Sequence, residues 1–246
     1  ERFRRQRQMC IRDSSKSFFK SIKLLENASF IFAGPGSPSY ASKLWYGNEF
    51  QQTLKNHLIK GNNSLFASAA ASTLGEYTLP VYEIYKVGQD PYWEKGLNIL
   101  DVYGLSCTVV PHFNNAEGGN HDTSFSYVGE NRMKTLLDNS YSNILGIDEH
   151  TALIISGKKE TFKVVGLGNV TVLNNEGTHV FEKDSEESLS KLQKLLISDK
   201  KSSVEKIDSK ATEVNSADKA TLKEIANLEI QIAVSYTHLT LPTKPF

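Results

Sequence analysis

The chain has 246 residues, 39% of them hydrophobic, and sets 28 Lys and Arg against 28 Asp and Glu for a formal net charge of zero. That length covers one domain plus an appendage, and the balanced charge offers no basic field to a nucleic acid or an anionic lipid surface. Two cysteines, Cys10 and Cys107, make no disulfide framework, and no apolar run is long enough to span a bilayer.

The two ends stand apart from the rest. Arg4 to Asp13 and Val234 to Thr243 each read as a translation of one transposase-type sequencing adapter, taken on opposite strands. Five of the six arginines lie within the first twelve residues, leaving Arg132 alone in a lysine-rich chain. Residues 1–13 and 234–246 are therefore expected to be adapter-derived tails, outside the fold. The remainder is mildly acidic and retains Cys107 in an apolar run, where it reads as a small buried hydrophobe.

In chain order, 15–25 predicts a helix through Phe18, Phe19, Ile22 and Leu25. A short strand over 29–33 runs into Gly34-Pro35-Gly36-Ser37-Pro38, a turn that neither helix nor strand continues through. The spacing of Leu44, Trp45, Phe50, Leu54 and Leu58 predicts one amphipathic helix over 40–59. Further strands are expected at 64–67, 106–110 and 143–147, with a small-residue helix from Ser68. Residues 151–155, 162–167 and 170–173 read as an antiparallel meander with turns at Gly157 and Gly168-Asn169.

Strands alternating with helices imply an α/β fold with a mostly parallel sheet and flanking helices. Its first strands are expected to be missing before residue 14. The domain is expected to occupy 14–177, and 178–233 to form a charged linker and helical tail. Within that tail, 189–197 and 217–232 read as helices, and 198–216 as a Lys/Ser/Asp-rich linker.

Three segments carry chemistry. Phe66 to Glu76 offers Ser68 in a run of small residues. Val110-Pro111-His112-Phe113 offers a histidine just after an apolar run, and Gly146 to Leu153 offers Asp148 and Glu149 just after another. A serine hydroxyl is a weak nucleophile until a base takes its proton and a third group orients that base. Each segment follows an expected strand, and ligands of such sheets sit outside the carboxyl ends of the strands. The small neighbours of Ser68 suit a tight strand-to-helix turn, and the Ala69 N–H would face an oxyanion there.

With those residues on the page, the chain resembles the cyanophycinase and dipeptidase E (aspartyl dipeptidase) family of serine peptidases over roughly residues 15 to 175. The family's fold is similar to type 1 glutamine amidotransferases, a flavodoxin-like three-layer sandwich. Ala67 to Glu76 is similar to the family's Ser-Ala-Gly-Ala elbow. Gly146-Ile147-Asp148-Glu149-His150-Thr151-Ala152 is similar to its Gly-Ile-Asp-Glu-x-Thr-Ala motif. Phe32 to Gly36 stands where the family has a glycine turn. The resemblance implies Ser68 as nucleophile, His112 as base and Glu149 as orienting acid, with Asp148 the second choice. It implies the Ala69 and Gly36 N–H groups as the oxyanion hole, since Pro35 has no N–H to give. It implies a small peptide or isopeptide as substrate. A cytoplasmic setting is expected, since no signal peptide is read in the sequence.

Two departures bear on activity. Phe66 and Ala70 replace glycines two residues before and two after the serine. A Phe66 ring directed at Ser68 would leave an inactive binding or scaffold member of the same fold, and a ring directed away permits catalysis. A thiol amidotransferase is disfavoured because no cysteine stands at the elbow. Asn114, Asn115, Glu117, His121 and Asp122 form a polar loop suited to substrate recognition, and Tyr82 and Arg132 complete that set. His112, Glu117, His121 and Asp122 match no tight metal spacing, so no metal or other cofactor is expected. The aromatic segments 82–86 and 90–93 suit a pocket wall or a homodimer contact.

Overall fold

A computed structural model of the chain describes residues 15–138, 142–196 and 229–234. Helix α1 (Ser15–Glu26) precedes strand β1 (Phe30–Ala33). The single helix expected over 40–59 is two, α2 (Pro38–Trp45) and α3 (Glu49–Ile59). The break lies at Gly47, which takes a φ of 72°, and at Asn48, whose side chain caps α3 by accepting from the Phe50 N–H. Capping by asparagine after a left-handed glycine outweighs the continuous apolar stripe. Trp45 and Phe50 stack across the break with centroids 4.8 Å apart.

Strand β2 (Asn63–Ala67) leads into the four-residue helix α4 (Ala69–Ser72). Then come β3 (Tyr77–Thr78), α5 (Val81–Tyr85), β4 (Glu94–Lys95) and β5 (Thr108–Val110). Helix α6 (Glu130–Asp138) precedes β6 (Ile144–Ile147). Strands β7 (Thr151–Ser156), β8 (Thr161–Gly166), β9 (Val170–Asn174), β10 (Gly177–Phe181) and β11 (Glu186–Ser188) follow, then helix α7 (Leu189–Leu195) and strand β12 (Glu229–Val234).

The architecture is mixed α/β, and the mostly parallel sheet is not found. A six-stranded sheet runs β1-β2-β12-β7-β8-β11 and a four-stranded sheet β10-β9-β6-β5. Among the described residues only β1–β2, β2–β12 and β5–β6 pair in parallel. The pairs β7–β8 and β9–β10 are each joined by a turn of a few residues, too short for the crossover that a parallel neighbour requires, and are antiparallel. Strand β9, expected to continue the antiparallel meander from β8, instead pairs with β6 in the four-stranded sheet.

The core also extends past the boundary expected at 177. Phe181, Leu189, Leu192 and Leu196 are buried in the main cluster with Phe66, Val109, Leu145 and Phe162. Residues 178–196 thus belong to the domain rather than to a linker. Residues 229–232, expected to be helical, are strand. Ile230 and Ile232 alternate with Glu229 and Gln231 at the period of a strand, a signal shorter than the 3.6-residue stripe that pointed to helix. Val234, placed in the excluded tail, pairs with Thr151. Residues 1–13, 197–228 and 235–246 lie outside the described residues.

Strand β12 is flanked on both sides, Ile232 facing Phe66 of β2 and Leu153 of β7. A proline there removes a ladder donor from an interior strand. Ile232→Pro is expected to lower the unfolding free energy by about 1–3 kcal/mol in denaturant titration. An unchanged midpoint would mean that β12 does not belong to the sheet.

Candidate active site

Ser68 stands between β2 and α4 with φ 53° and ψ −117°. A left-handed φ at a residue with a side chain costs on the order of 1–2 kcal/mol. The turn holds because everything around it is small: Ala69, Ala70 and Ala71 are buried, and the Ser72 N–H closes on the Ser68 carbonyl at 3.0 Å. The Phe66 ring is 1% exposed, packed in the main core with Ala70 and Ala71, and takes no part in the cleft above Ser68.

His112 follows the end of β5 and Pro111, also with a left-handed φ of 52°. Its carbonyl accepts from the Asn115 and Ser126 N–H groups at 3.2 and 3.1 Å. The ring bridges two partners, with Nε2 2.8 Å from Ser68 Oγ and Nδ1 2.7 Å from Glu149 Oε1. An ionised carboxylate only accepts, so Nδ1 carries the proton and Nε2 presents its lone pair to the serine hydroxyl. The acid lies at the end of β6, whose parallel register with β5 sets Val110 opposite Gly146. A side chain at Gly146 would collide with the Phe113 ring.

Glu149 is held from several directions. Asn115 Nδ2 donates to Oε1 at 2.8 Å, and the Glu149 N–H donates to Asn114 Oδ1 at 2.8 Å. Thr151 Oγ1 donates to the Glu149 carbonyl at 2.9 Å. Asp148 turns away from the histidine, and its Oδ2 accepts from the Asn169 N–H at 2.9 Å, closing the turn between β8 and β9. Burial pushes the Asp148 carboxyl up, the Asn169 N–H opposes this, and the neighbouring Glu149 charge adds to it.

An open cleft of about 530 Å³ lies over Ser68 and His112. Gly36, Ala69, Tyr82, Tyr85, Lys86 and Tyr127 are among its walls. Of the expected recognition residues, only Tyr82 lines it. Asn114 and Asn115 serve Glu149 instead. Glu117 Oε2 accepts from the Tyr127 hydroxyl at 3.1 Å. Asp122 caps α6 by accepting from the Glu130 N–H at 2.6 Å, and that bond and two from Ser124 hold its carboxyl below the usual range. His121 and Arg132 are exposed and line no part of the cleft. These six are corrected to positioning or surface roles. Asn115 Oδ1 and Asp122 Oδ1 also satisfy the backbone of the loop's own turns, accepting from the Glu117 and Ser124 N–H groups, as asparagine and aspartate commonly do.

Tyr127 gives no signal in the sequence. It ends three successive left-handed residues, Phe125, Ser126 and Tyr127, held where Ser126 Oγ donates to the Pro111 carbonyl. Its ring lies 6.0 Å from the His112 ring and 5.6 Å from that of Tyr85. Burial and the bond to Glu117 push its phenol up to about 12. Among the described residues no cluster of His, Cys, Asp and Glu suits a metal ion, and no helix is long and apolar enough to cross a membrane.

No family model and no curated protein matches the sequence. Among solved structures the chain is similar to the crystal structure of a peptidase from an acI-B1 Actinobacterium, at 22% identity and a TM-score of 0.50. The match covers 68% of this chain and 62% of that one, so the chain spans less than two thirds of that peptidase's length. It shows a shared fold.

Because the folded pKa of Asp148 is raised, its stabilising contribution is present below the unfolded value and is lost as pH rises through the folded one. Asparagine does not titrate, and its oxygen still accepts from Asn169. Asp148→Asn is expected to gain stability relative to wild type between about pH 4 and pH 7 in denaturant titrations. A relative loss over that range would contradict the burial of this carboxyl.

Proposed function

We propose that the chain is a serine-type hydrolase of the cyanophycinase and dipeptidase E kind, cleaving a small peptide or isopeptide through an acyl-enzyme on Ser68. The carrying observation is the unbroken run Ser68 Oγ–His112 Nε2–Glu149, at 2.8 and 2.7 Å, beneath an open cleft. The shared fold with a peptidase supports the reading. So does the position of the Phe66 ring, which leaves the serine unobstructed.

In this mechanism Ser68 Oγ bonds to the scissile carbonyl carbon as its proton passes to His112 Nε2. Glu149 stabilises the imidazolium through Nδ1–H and does not itself take the proton. The carbonyl oxygen becomes an oxyanion, facing the N–H groups of Ala69 and Gly36. Collapse expels the amine, which leaves with the proton from Nε2. A water then attacks the ester by the same route, and Ser68 Oγ recovers its proton. The left-handed turn holds the hydroxyl at the rim of the sheet before substrate arrives, so little reorganisation remains.

Hydrolysis of a panel of dipeptides and isopeptides tests this. Ser68→Ala and His112→Ala should each lower kcat by a factor on the order of 10⁴–10⁶ without loss of folding, because members of such a unit fail together. Glu149→Gln should cost less, on the order of 10³–10⁴, and Asp148→Asn should leave the rate unchanged. A Ser68→Ala protein that still cleaves the panel would place the nucleophile elsewhere.

A further inference from the structure

Phe125, Ser126 and Tyr127 take left-handed φ values of 53°, 56° and 68° in succession. Such backbone is unfavourable for residues with side chains, and it persists only where the surroundings impose it. Two bonds impose it here. The Ser126 N–H donates to the His112 carbonyl at 3.1 Å, and the Phe125 N–H to the Phe113 carbonyl at 2.9 Å. The bend delivers Tyr127 to a particular place. Its ring stands 6.0 Å from the His112 ring, and its hydroxyl reaches back 10 residues to donate to Glu117 Oε2 at 3.1 Å. Asn115 lies within the segment closed in this way and is 3% exposed. Both ends of its amide are engaged: Oδ1 accepts from the Glu117 N–H at 3.2 Å, and Nδ2 donates to Glu149 Oε1 at 2.8 Å. That oxygen is the one that accepts from His112 Nδ1. Burial, Glu117 and Glu149 push the Tyr127 phenol up and the Asn115 amide works against that push, so these three side chains stand around it.

We infer that Tyr127 is a positioning residue for His112, clasping Glu117 so that Asn115 is pinned against Glu149 and water is kept from the His112–Glu149 bond. The ring supplies the second part. His112 is only 4% exposed although it borders an open cleft, and Tyr127 is part of the same wall. Water admitted to that bond would compete for Nδ1–H and for the carboxylate, and would screen an imidazolium from its partner. The hydroxyl supplies the first part. Glu117 is fastened to Asn115 through its backbone and to Tyr127 through its side chain, so the phenol fixes the turn from which the Asn115 amide reaches the acid. Glu117 is itself exposed and lines no part of the cleft, so the clasp can be opened from outside the substrate's path. That the clasp serves catalysis rests on His112 being the base of Ser68. The shielding of the bond does not.

Proton NMR of the full chain in water tests this, with melting curves to establish that each variant is folded. It follows the His112 Nδ1–H resonance, assigned by its loss in His112→Ala. In the wild type the resonance should be resolved and exchange slowly with water. Tyr127→Phe, which keeps the ring, and Glu117→Ala should each speed that exchange about tenfold, as the loss of one hydrogen bond does. The double variant should be no faster than either single one, because both open the same clasp. Glu117→Gln, whose amide oxygen still accepts, should recover the slow exchange. Fluorophosphonate labelling of Ser68 should slow about tenfold in the same two single variants. No resolved resonance in the wild type, unchanged exchange in either single variant, or additive effects in the double variant overturns the proposal. A chain whose protected resonance depends on the clasp but whose Ser68 takes no label keeps this inference and loses the hydrolase reading. Labelling at an undiminished rate in Tyr127→Phe and Glu117→Ala does the reverse.

Discussion

The bond between His112 Nδ1 and Glu149 Oε1 joins the ends of two adjacent parallel strands, and most of the site is built to keep its length at 2.7 Å. The pairing of β5 with β6 sets the coarse distance. Gly146 lets Phe113 pack against β6, which draws the chain after His112 down onto the neighbouring strand. Asn114 and Asn115 then take hold of the Glu149 backbone and carboxylate, and Asp148 and Thr151 fasten the following turn. The residues around the pair therefore form a second layer. Each has a definite partner, and each restricts the rotamer of the imidazole or of the acid.

The site concentrates the backbone strain of this fold. Ser68, His112 and the run Phe125 to Tyr127 all adopt left-handed φ values, which β-strand and helix interiors avoid. The strain at His112 is offset by two N–H groups on its carbonyl. At Ser68 it is offset by the close packing of three alanines that a bulkier run would prevent. Local preference yields to function at such places.

The parts of the fold read most directly from sequence were those governed by one strong local pattern. Helix α1, the strand ends before Ser68, His112 and Glu149, the hairpin of β7 with β8 and helix α7 all follow from periodicity and turn residues. Long-range pairing was not legible. Nothing within Glu229 to Val234 states that it inserts between β2 and β7, because strand partners are chosen by tertiary packing. Asn48 outweighs the apolar stripe that runs through it, a capping effect of short range. In the candidate site, the residue types of the loop after His112 suggested substrate contacts. Their partners are Glu149, the Tyr127 hydroxyl and backbone N–H groups of the loop's own turns, a use of asparagine and aspartate that composition cannot separate from recognition. Tyr127 escaped notice because its place beside His112 depends on three unusual dihedral angles.

The central claim is that Ser68, activated through His112, is the nucleophile. Mass spectrometry of the chain after exposure to a fluorophosphonate tests it without any knowledge of substrate. The account predicts a single adduct on the peptide carrying Ser68, absent from Ser68→Ala and strongly slowed in His112→Ala. An adduct on another residue, or a folded protein that takes none, would contradict it.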